Sequence, residues 1–195
     1  MRARGHEVIV VDGGSTDGTP QLAQPFADRV LAAPGGRAAQ MNAGARAASG
    51  DALLFLHADT ALPPESERAV LQALRSHAWG RFDVHIDSPD PRLALVGFCM
   101  NWRSRLTGIA TGDQAIFARS SAFAGFPEIA LMEDVAFSAR MKRVTPPACL
   151  SQKVTTSARR WERHGVVRTV LLMWRLRFLY WLGVDPGELA RRYSN

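Results

Sequence analysis

Val8-Ile-Val-Val-Asp-Gly-Gly-Ser-Thr-Asp-Gly-Thr-Pro20 is the stretch from which the fold can be read. Its four β-branched residues predict a short buried strand, and the acid and glycines behind them predict its end, with Asp12 at the carboxyl edge. Asp17-Gly-Thr-Pro20 predicts a helix start, with Thr19 as N-cap and Pro20 in the first helical position, running to about Phe26. Outward from there, the Pro34-Gly-Gly36 turn precedes a helix over Arg37 to Ala48, closed by Ser49-Gly50. Asp51-Ala-Leu-Leu-Phe-Leu-His57 is the next strand. Short apolar strands alternating with helices of ten or so residues predict an α/β fold with a mainly parallel sheet flanked by helices.

Further along, Pro63 and Pro64 open a helix to about Arg75, Trp79 to Ile86 reads as a strand, and Arg92 to Leu106 as a helix. Gln114 to Ala118 is a short extended segment. Leu131 to Val144 has a helical pattern that begins with Glu133 and Asp134, acids suited to a helix N-terminus. The rest of the chain reads as helical, with a C-terminal helical segment over about 158–195.

The 195 residues suit a single domain, and the apolar share of nearly half excludes disorder. Two cysteines, Cys99 and Cys149, lack metal-ligand spacing and fit a reducing compartment. The start lacks an apolar run long enough for a signal peptide, which points to a cytoplasmic protein. A formal charge of +6 favours anionic partners. The arginines are scattered and no nucleic-acid motif accompanies them, so nucleic acid is not expected among those partners. Val166 to Val184 is apolar but broken by Arg168, Arg175 and Arg177, which argues against a membrane span. The run is expected to pack mostly on the sheet, with peripheral contact at a lipid interface as the alternative.

Asp12, Asp59 and Asp134 each fall where a strand or helix meets a turn, which predicts one crevice at the carboxyl ends of the strands. A lone aspartate beside glycine more often caps a helix or closes a turn. Their order along the chain carries the stronger reading.

Glu7-Val-Ile-Val-Val-Asp-Gly-Gly-Ser-Thr-Asp-Gly-Thr19, Gly36-Arg37 through Asn42-Ala-Gly44, Phe55-Leu-His-Ala-Asp-Thr60, Glu133-Asp134 and Ser157-Ala-Arg-Arg-Trp161 resemble the ordered motifs of glycosyltransferase family 2. Within it, Gly112-Asp-Gln-Ala-Ile-Phe117 is similar to a small bacterial branch associated by name with arsenosugar biosynthesis. The resemblance implies a GT-A fold, and an enzyme that moves a sugar from a nucleotide-diphosphate donor to a hydroxyl acceptor. It also implies roles. Asp12 would accept hydrogen bonds from the donor's base. Arg37 would pair with the diphosphate, and Asp59 would bind the donor through a Mg²⁺ or Mn²⁺ ion. Asp134 would be the general base, giving inversion at the sugar carbon. Asp113, Gln114, Glu133, Arg160 and Trp161 would contact the sugar or the acceptor.

The chain departs from that pattern in three places. His57 stands at the first position of the family's D-x-D, which leaves metal binding to Asp59 and the phosphates; His57 itself is expected to be a packed or hydrogen-bonded histidine. Ser157 stands where the family has glutamine. The family's first strand and base-gripping loop have no counterpart here, so an N-terminally truncated domain is expected. Two rival readings remain, a nucleotidyltransferase of similar architecture and a catalytically silent module that binds nucleotides or a membrane surface.

Overall fold

The structure, a computed structural model, describes residues 5–194. β1 (Ile9–Asp12) is the β-branched run, and it pairs in parallel with β2 (Arg29–Ala32) from Ile9 opposite Arg29 to Asp12 opposite Ala32. Between them α1 (Thr19–Ala23) passes into a 3₁₀ turn over Gln24–Phe26. The predicted cap is displaced by one residue: Gly18, with a φ of 82°, precedes the helix, and the Asp17 carboxylate accepts from the Thr19 amide at 3.0 Å and its hydroxyl at 2.6 Å. Asp17, one residue before the cap, thus accepts from the first helical residue, while Gly18 supplies the left-handed turn.

α2 (Arg37–Ala47) follows, and its Gly44 lies against Val11, where an added Cβ would approach the valine side chain to 3.1 Å. The same helix contributes Ala38 and Met41 to the main core, beside Phe55 and Ile116. It therefore packs on the first strand pair and on the rest of the domain.

A second, five-stranded sheet has the order β3 (Ala52–Leu54), β6 (Phe117–Arg119), β5 (Trp79–Asp87), β7 (Ala148–Ser157), β4 (Thr60–Ala61). The longer ladders, β1 with β2 and β5 with β7, run parallel as expected, and shorter antiparallel ones complete the five-stranded sheet. Only β5 and β7 run parallel within it, while β3 with β6, β6 with β5 and β7 with β4 are antiparallel. The three residues of β6 enter between β3 and β5 against the direction of both, which makes the sheet mixed. Among the described residues β1 and β3 do not pair with each other.

β7 was not foreseen, since the whole C-terminal third read as helical. Its centre, Leu-Ser-Gln-Lys, has no alternating pattern, and only Val154 and Thr156 behind it are buried. Pairing with β5 along eight residues decides the conformation over local preference. At Gly80 a Cβ would lie 2.4 Å from the Ala148 carbonyl oxygen and from the Phe117 ring, so glycine is what lets three strands close up.

Helices α3 (Ser66–Ala73), α4 (Pro91–Thr107) and α5 (Glu133–Met141) complete the body. Asp90 caps α4 by accepting from the Arg92 amide, with Pro91 leading the first turn. Trp79, Phe117 and Phe137 are fully buried, and each such side chain contributes about 1.5–3 kcal/mol. The indole of Trp79 donates to the Thr145 carbonyl at 3.0 Å and meets Phe137 edge to face.

The chain closes with α6 (Arg159–His164), α7 (Val166–Trp181) and α8 (Pro186–Ser194). Among the described residues no helix is long and apolar enough to cross a membrane. The apolar run was expected to pack on the sheet; instead one face of α7 packs on the loop before α5 and on α8. Leu176 is buried against Leu131, Met132 and Leu189, but Leu171, Trp174, Phe178 and Trp181 are exposed. A hairpin with the short α8 offers one side to bury against, and among the described residues the other side stays exposed.

Candidate active site

Asp134 sits in the first turn of α5, where the helix dipole favours an anion. Its Oδ2 accepts from the Gly112 amide at 2.9 Å and its Oδ1 from the Val135 amide at 2.7 Å. Burial nonetheless raises its pKa above the usual carboxylate range, outweighing both bonds. Glu133 is buried beside it, its pKa raised by burial and by the Asp134 charge. The helix is clipped to the preceding loop by Ser138, whose hydroxyl accepts from the Ala110 amide and donates to the Ala110 carbonyl. Met132, just before the acids, has a φ of 71°, a left-handed conformation that costs of order 1–3 kcal/mol for a non-glycine residue.

Gly112 begins a 3₁₀ turn, Gly112–Gln114, that approaches the end of the Ala52–Leu54 strand segment. A Cβ at Gly112 would lie 2.5 Å from the His57 imidazole, so glycine is required for that approach. His57 Nδ1 is 3.5 Å from Asp113 Oδ1. The Asp113 contact raises the His57 pKa, against the cost of burial. Burial pushes the Asp113 carboxyl up, but His57, Arg37 and Arg160 outweigh it and hold it down. The histidine is thus the hydrogen-bonded residue expected of it, and its partner is a residue expected to face the sugar.

Asp59 is exposed on the turn that leads into β4. The Thr60 amide donates to the His57 carbonyl, and the Ser157 amide donates to the Asp59 carbonyl at 3.1 Å, which ties this turn to the end of β7. Ser157 also steadies Arg159 through its hydroxyl. The next residue, Arg160, lies over the Tyr193 ring with its guanidinium carbon 3.7 Å from the centroid. Arg37 leads α2 toward the same group. Burial opposes its charge, while a hydrogen bond with Tyr193 and the charges of Tyr193, Glu133 and Asp113 raise its pKa. Arg37, His57, Asp59, Asp113, Glu133, Asp134 and Arg160 therefore share one electrostatic neighbourhood.

Three expected site residues stand differently. Asp12 ends β1, and its Oδ2 accepts from the Gly14 and Ser15 amides at 2.8 Å each. Bonds from Ser15 and Gly14 lower its pKa, and none of the clustered charges acts on it. The adjoining Gly13 lies against Gln40, one turn along α2 from Arg37. Gln114 is wholly buried and turned inward, accepting from the Thr111 amide at 3.2 Å and donating to Asn101 at 3.4 Å. A sugar-contacting Gln114 is corrected to a strut of the loop, because its polar atoms already bond within the protein. Trp161 packs with Ile86, Leu93 and Ala158, so its ring is committed to the core more than to an acceptor.

Tyr193 and Asn42 were missed. Tyr193 is a lone aromatic among arginines 60 residues from the acids, with no local signal. Asn42 exchanges bonds with the Phe126 backbone, at 2.7 and 2.9 Å, and pins the loop before α5. Its place within the Gly36 to Gly44 motif was the available clue.

Among the described residues no three His, Cys, Asp or Glu side chains form a preformed metal cage. The donor set nevertheless fits a hard divalent ion bound together with substrate: Asp59 offers a free-standing carboxylate, and Mg²⁺ commonly takes one or two carboxylates plus phosphate oxygens and waters. A small cavity of ≈ 10 Å³ lies between Phe55, His57, Gly112, Glu133 and Asp134, at the lower limit for one water. A larger cavity of ≈ 290 Å³ lies between β5 and α4. It holds none of the clustered residues. Its acid Asp83 is engaged by Arg81 and Arg105, and its Asn101 bonds the Val84 backbone.

Solved structures similar in fold share little sequence with this chain. TarS of S. aureus, residues 1–349 in complex with UDP-GlcNAc, matches with a TM-score of 0.59 at 19% identity, over 77% of this chain and 49% of that one. The same protein with UDP gives 0.60 at 19% identity, over 77% and 51%. The mannosyltransferase PcManGT from Pyrobaculum calidifontis, in complex with GDP-Man and Mn²⁺, gives 0.54 at 21%, over 76% and 47%. These likenesses show an α/β, GT-A-like fold. The chain spans about half the length of the structures it matches. No curated protein matches it. The model of glycosyl transferase family 2 matches residues 3–133, about two thirds of the sequence, and the chain belongs to that family.

Proposed function

We propose that the protein is a glycosyltransferase that moves a sugar from a nucleotide-diphosphate donor to a hydroxyl acceptor with inversion, assisted by Mg²⁺ or Mn²⁺. The observation that carries this reading is Asp134: a carboxylate held by two amides, with raised proton affinity, inside a group that also holds Arg37, Asp59 and Arg160. A general base works best when its pKa is moved toward the operating pH, and burial moves Asp134 that way.

In this account Arg37 pairs with the diphosphate, Arg160 contacts the sugar or the acceptor, and Asp59 would hold the divalent ion. The bound ion would offset the negative charge that gathers on the diphosphate. The acceptor oxygen bonds to the anomeric carbon as the bond to the diphosphate breaks, and the electron pair leaves with the nucleoside diphosphate. Asp134 takes the acceptor's proton. Glu133 fixes the loop and tunes its neighbour, Asp113 is oriented by His57 toward the sugar, and Trp161 borders the acceptor with its uncommitted edge. Asp12 receives the donor's base at the end of β1.

Membership of the arsenosugar-associated branch rests on Gly112 to Phe117. A cytoplasmic location with peripheral contact at the inner face of the membrane belongs to the same reading. Titration calorimetry with UDP and GDP, with and without Mn²⁺, tests the binding half. Mn²⁺-dependent binding that is lost in Arg37→Ala is the expected result, and no binding of either nucleotide contradicts it.

A further inference from the structure

The outer face of α7 carries a feature that the transfer chemistry does not use. At 3.6 residues per turn Val167, Leu171, Trp174, Phe178 and Trp181 fall within an arc of about 80°. All five are exposed, Trp174 by 69% and Trp181 by 78%. The opposite face is occupied: Leu176 is fully buried, with Leu172 and Leu179 beside it, against Leu131, Met132 and Leu189. One apolar side of this helix is inside the protein and the other faces outward.

Charge indicates what the outward side meets. Residues 158–195 contain eight arginines and three acids, so +5 of the chain's formal +6 lies in this segment. Arg168 and Arg175 are exposed and lie to one side of the stripe, about 80–100° around the helix from its centre. Indole and phenyl rings edged by guanidinium groups suit the headgroup level of an anionic bilayer, where the rings bury and the arginines meet phosphates. A symmetric pairing with a second copy would set the same cationic face against itself.

We infer that α7 docks the protein on an anionic lipid bilayer and presents the acid cluster to a lipid-borne hydroxyl acceptor, the second half resting on the transferase reading. The inner face of α7 packs on Leu131 and Met132, which directly precede Glu133 and Asp134. About one helix diameter, 10–12 Å, therefore separates the bilayer-facing stripe from the loop that bears the acids. The helices flanking α7 complete the approach, since α6 supplies Arg160 and α8 returns Tyr193 to it. An acceptor anchored by its lipid would need only its headgroup to leave the surface.

The test is cosedimentation of the full chain with vesicles of phosphatidylcholine alone and with equimolar phosphatidylglycerol, for the wild type, for Trp174→Ser with Trp181→Ser, and for Arg168→Glu with Arg175→Glu. The four side chains are exposed, and an unchanged melting temperature verifies that the variants fold. Binding is expected only with phosphatidylglycerol, weakened by added salt and by roughly tenfold or more in each double variant. Absence of binding at low salt, equal binding to both vesicles, or variants that bind like the wild type would overturn the docking. So would a dimer in sedimentation velocity that the tryptophan variant disperses while vesicles are ignored. Nucleotide binding, measured separately, distinguishes the two readings: vesicle binding without nucleotide binding leaves the docking standing and removes the lipid acceptor.

Discussion

Gly112 and Asp134, 22 residues apart in the chain, are joined by a single bond from the Gly112 amide to Asp134 Oδ2 at 2.9 Å. It fixes the loop that carries Asp113 to the helix that carries Asp134. On its other side Gly112 lies against the His57 ring with no room for a Cβ. Asp134, the loop and the histidine thus form one unit.

Gly112→Ala should break that unit. The added methyl group meets the imidazole at 2.5 Å and must displace either His57 or the loop. We expect a loss of about 1–3 kcal/mol of stability, typical of overpacking, together with loss of transfer. Adding His57→Ala should restore much of the stability. Thermal melts of the two single variants and the double variant measure the coupling, and additive effects would contradict the contact.

Asp134 should leave a signature in pH. Its pKa is raised by burial, so the folded state holds the proton more tightly than the unfolded chain does. Its contribution to stability is then most favourable in acid, and is lost as pH rises from the unfolded value of about 3.9 through the higher folded one. The melting temperature of the wild type minus that of Asp134→Asn should fall across that interval. A difference independent of pH contradicts the shift.

Gln114→Ala separates the corrected role from the expected one. The side chain is fully buried and bonded to Thr111 and Asn101, so its removal should cost about 1–3 kcal/mol, seen as a lower melting temperature. A raised donor KM with unchanged stability would return Gln114 to the sugar.

The α/β class was legible because Val8 to Asp12 and Arg37 to Ala48 state their periods locally. Asp134 was legible because an acid pair at a helix start keeps its meaning in any context. β7 was not, since its polar centre, with Ser151 and Gln152 left out of the register, is held in a strand only by the pairing of the residues on either side with β5. The direction of Gln114 and the pairing of His57 with Asp113 depend on contacts between segments 13 to 56 residues apart, and composition cannot express these. The apolar run of α7 was legible, but composition does not say which of its faces is covered.

Asp59→Ala should abolish donor turnover with little change in stability, because Asp59 is exposed and His57 beside it is engaged by Asp113. Chelation of divalent ions should have the same effect on the wild type. Turnover that survives in excess chelator would remove the metal from the account.

The most direct measurement is proton NMR of a nucleotide-sugar panel, including UDP-GlcNAc and GDP-mannose, incubated with Mn²⁺, phosphatidylglycerol vesicles and candidate hydroxyl acceptors. The account predicts release of nucleoside diphosphate with a product anomeric proton of inverted configuration, slowed roughly a hundredfold or more in Asp134→Asn while that variant still binds nucleotide. Retained configuration, or equal rates in wild type and Asp134→Asn, would contradict it.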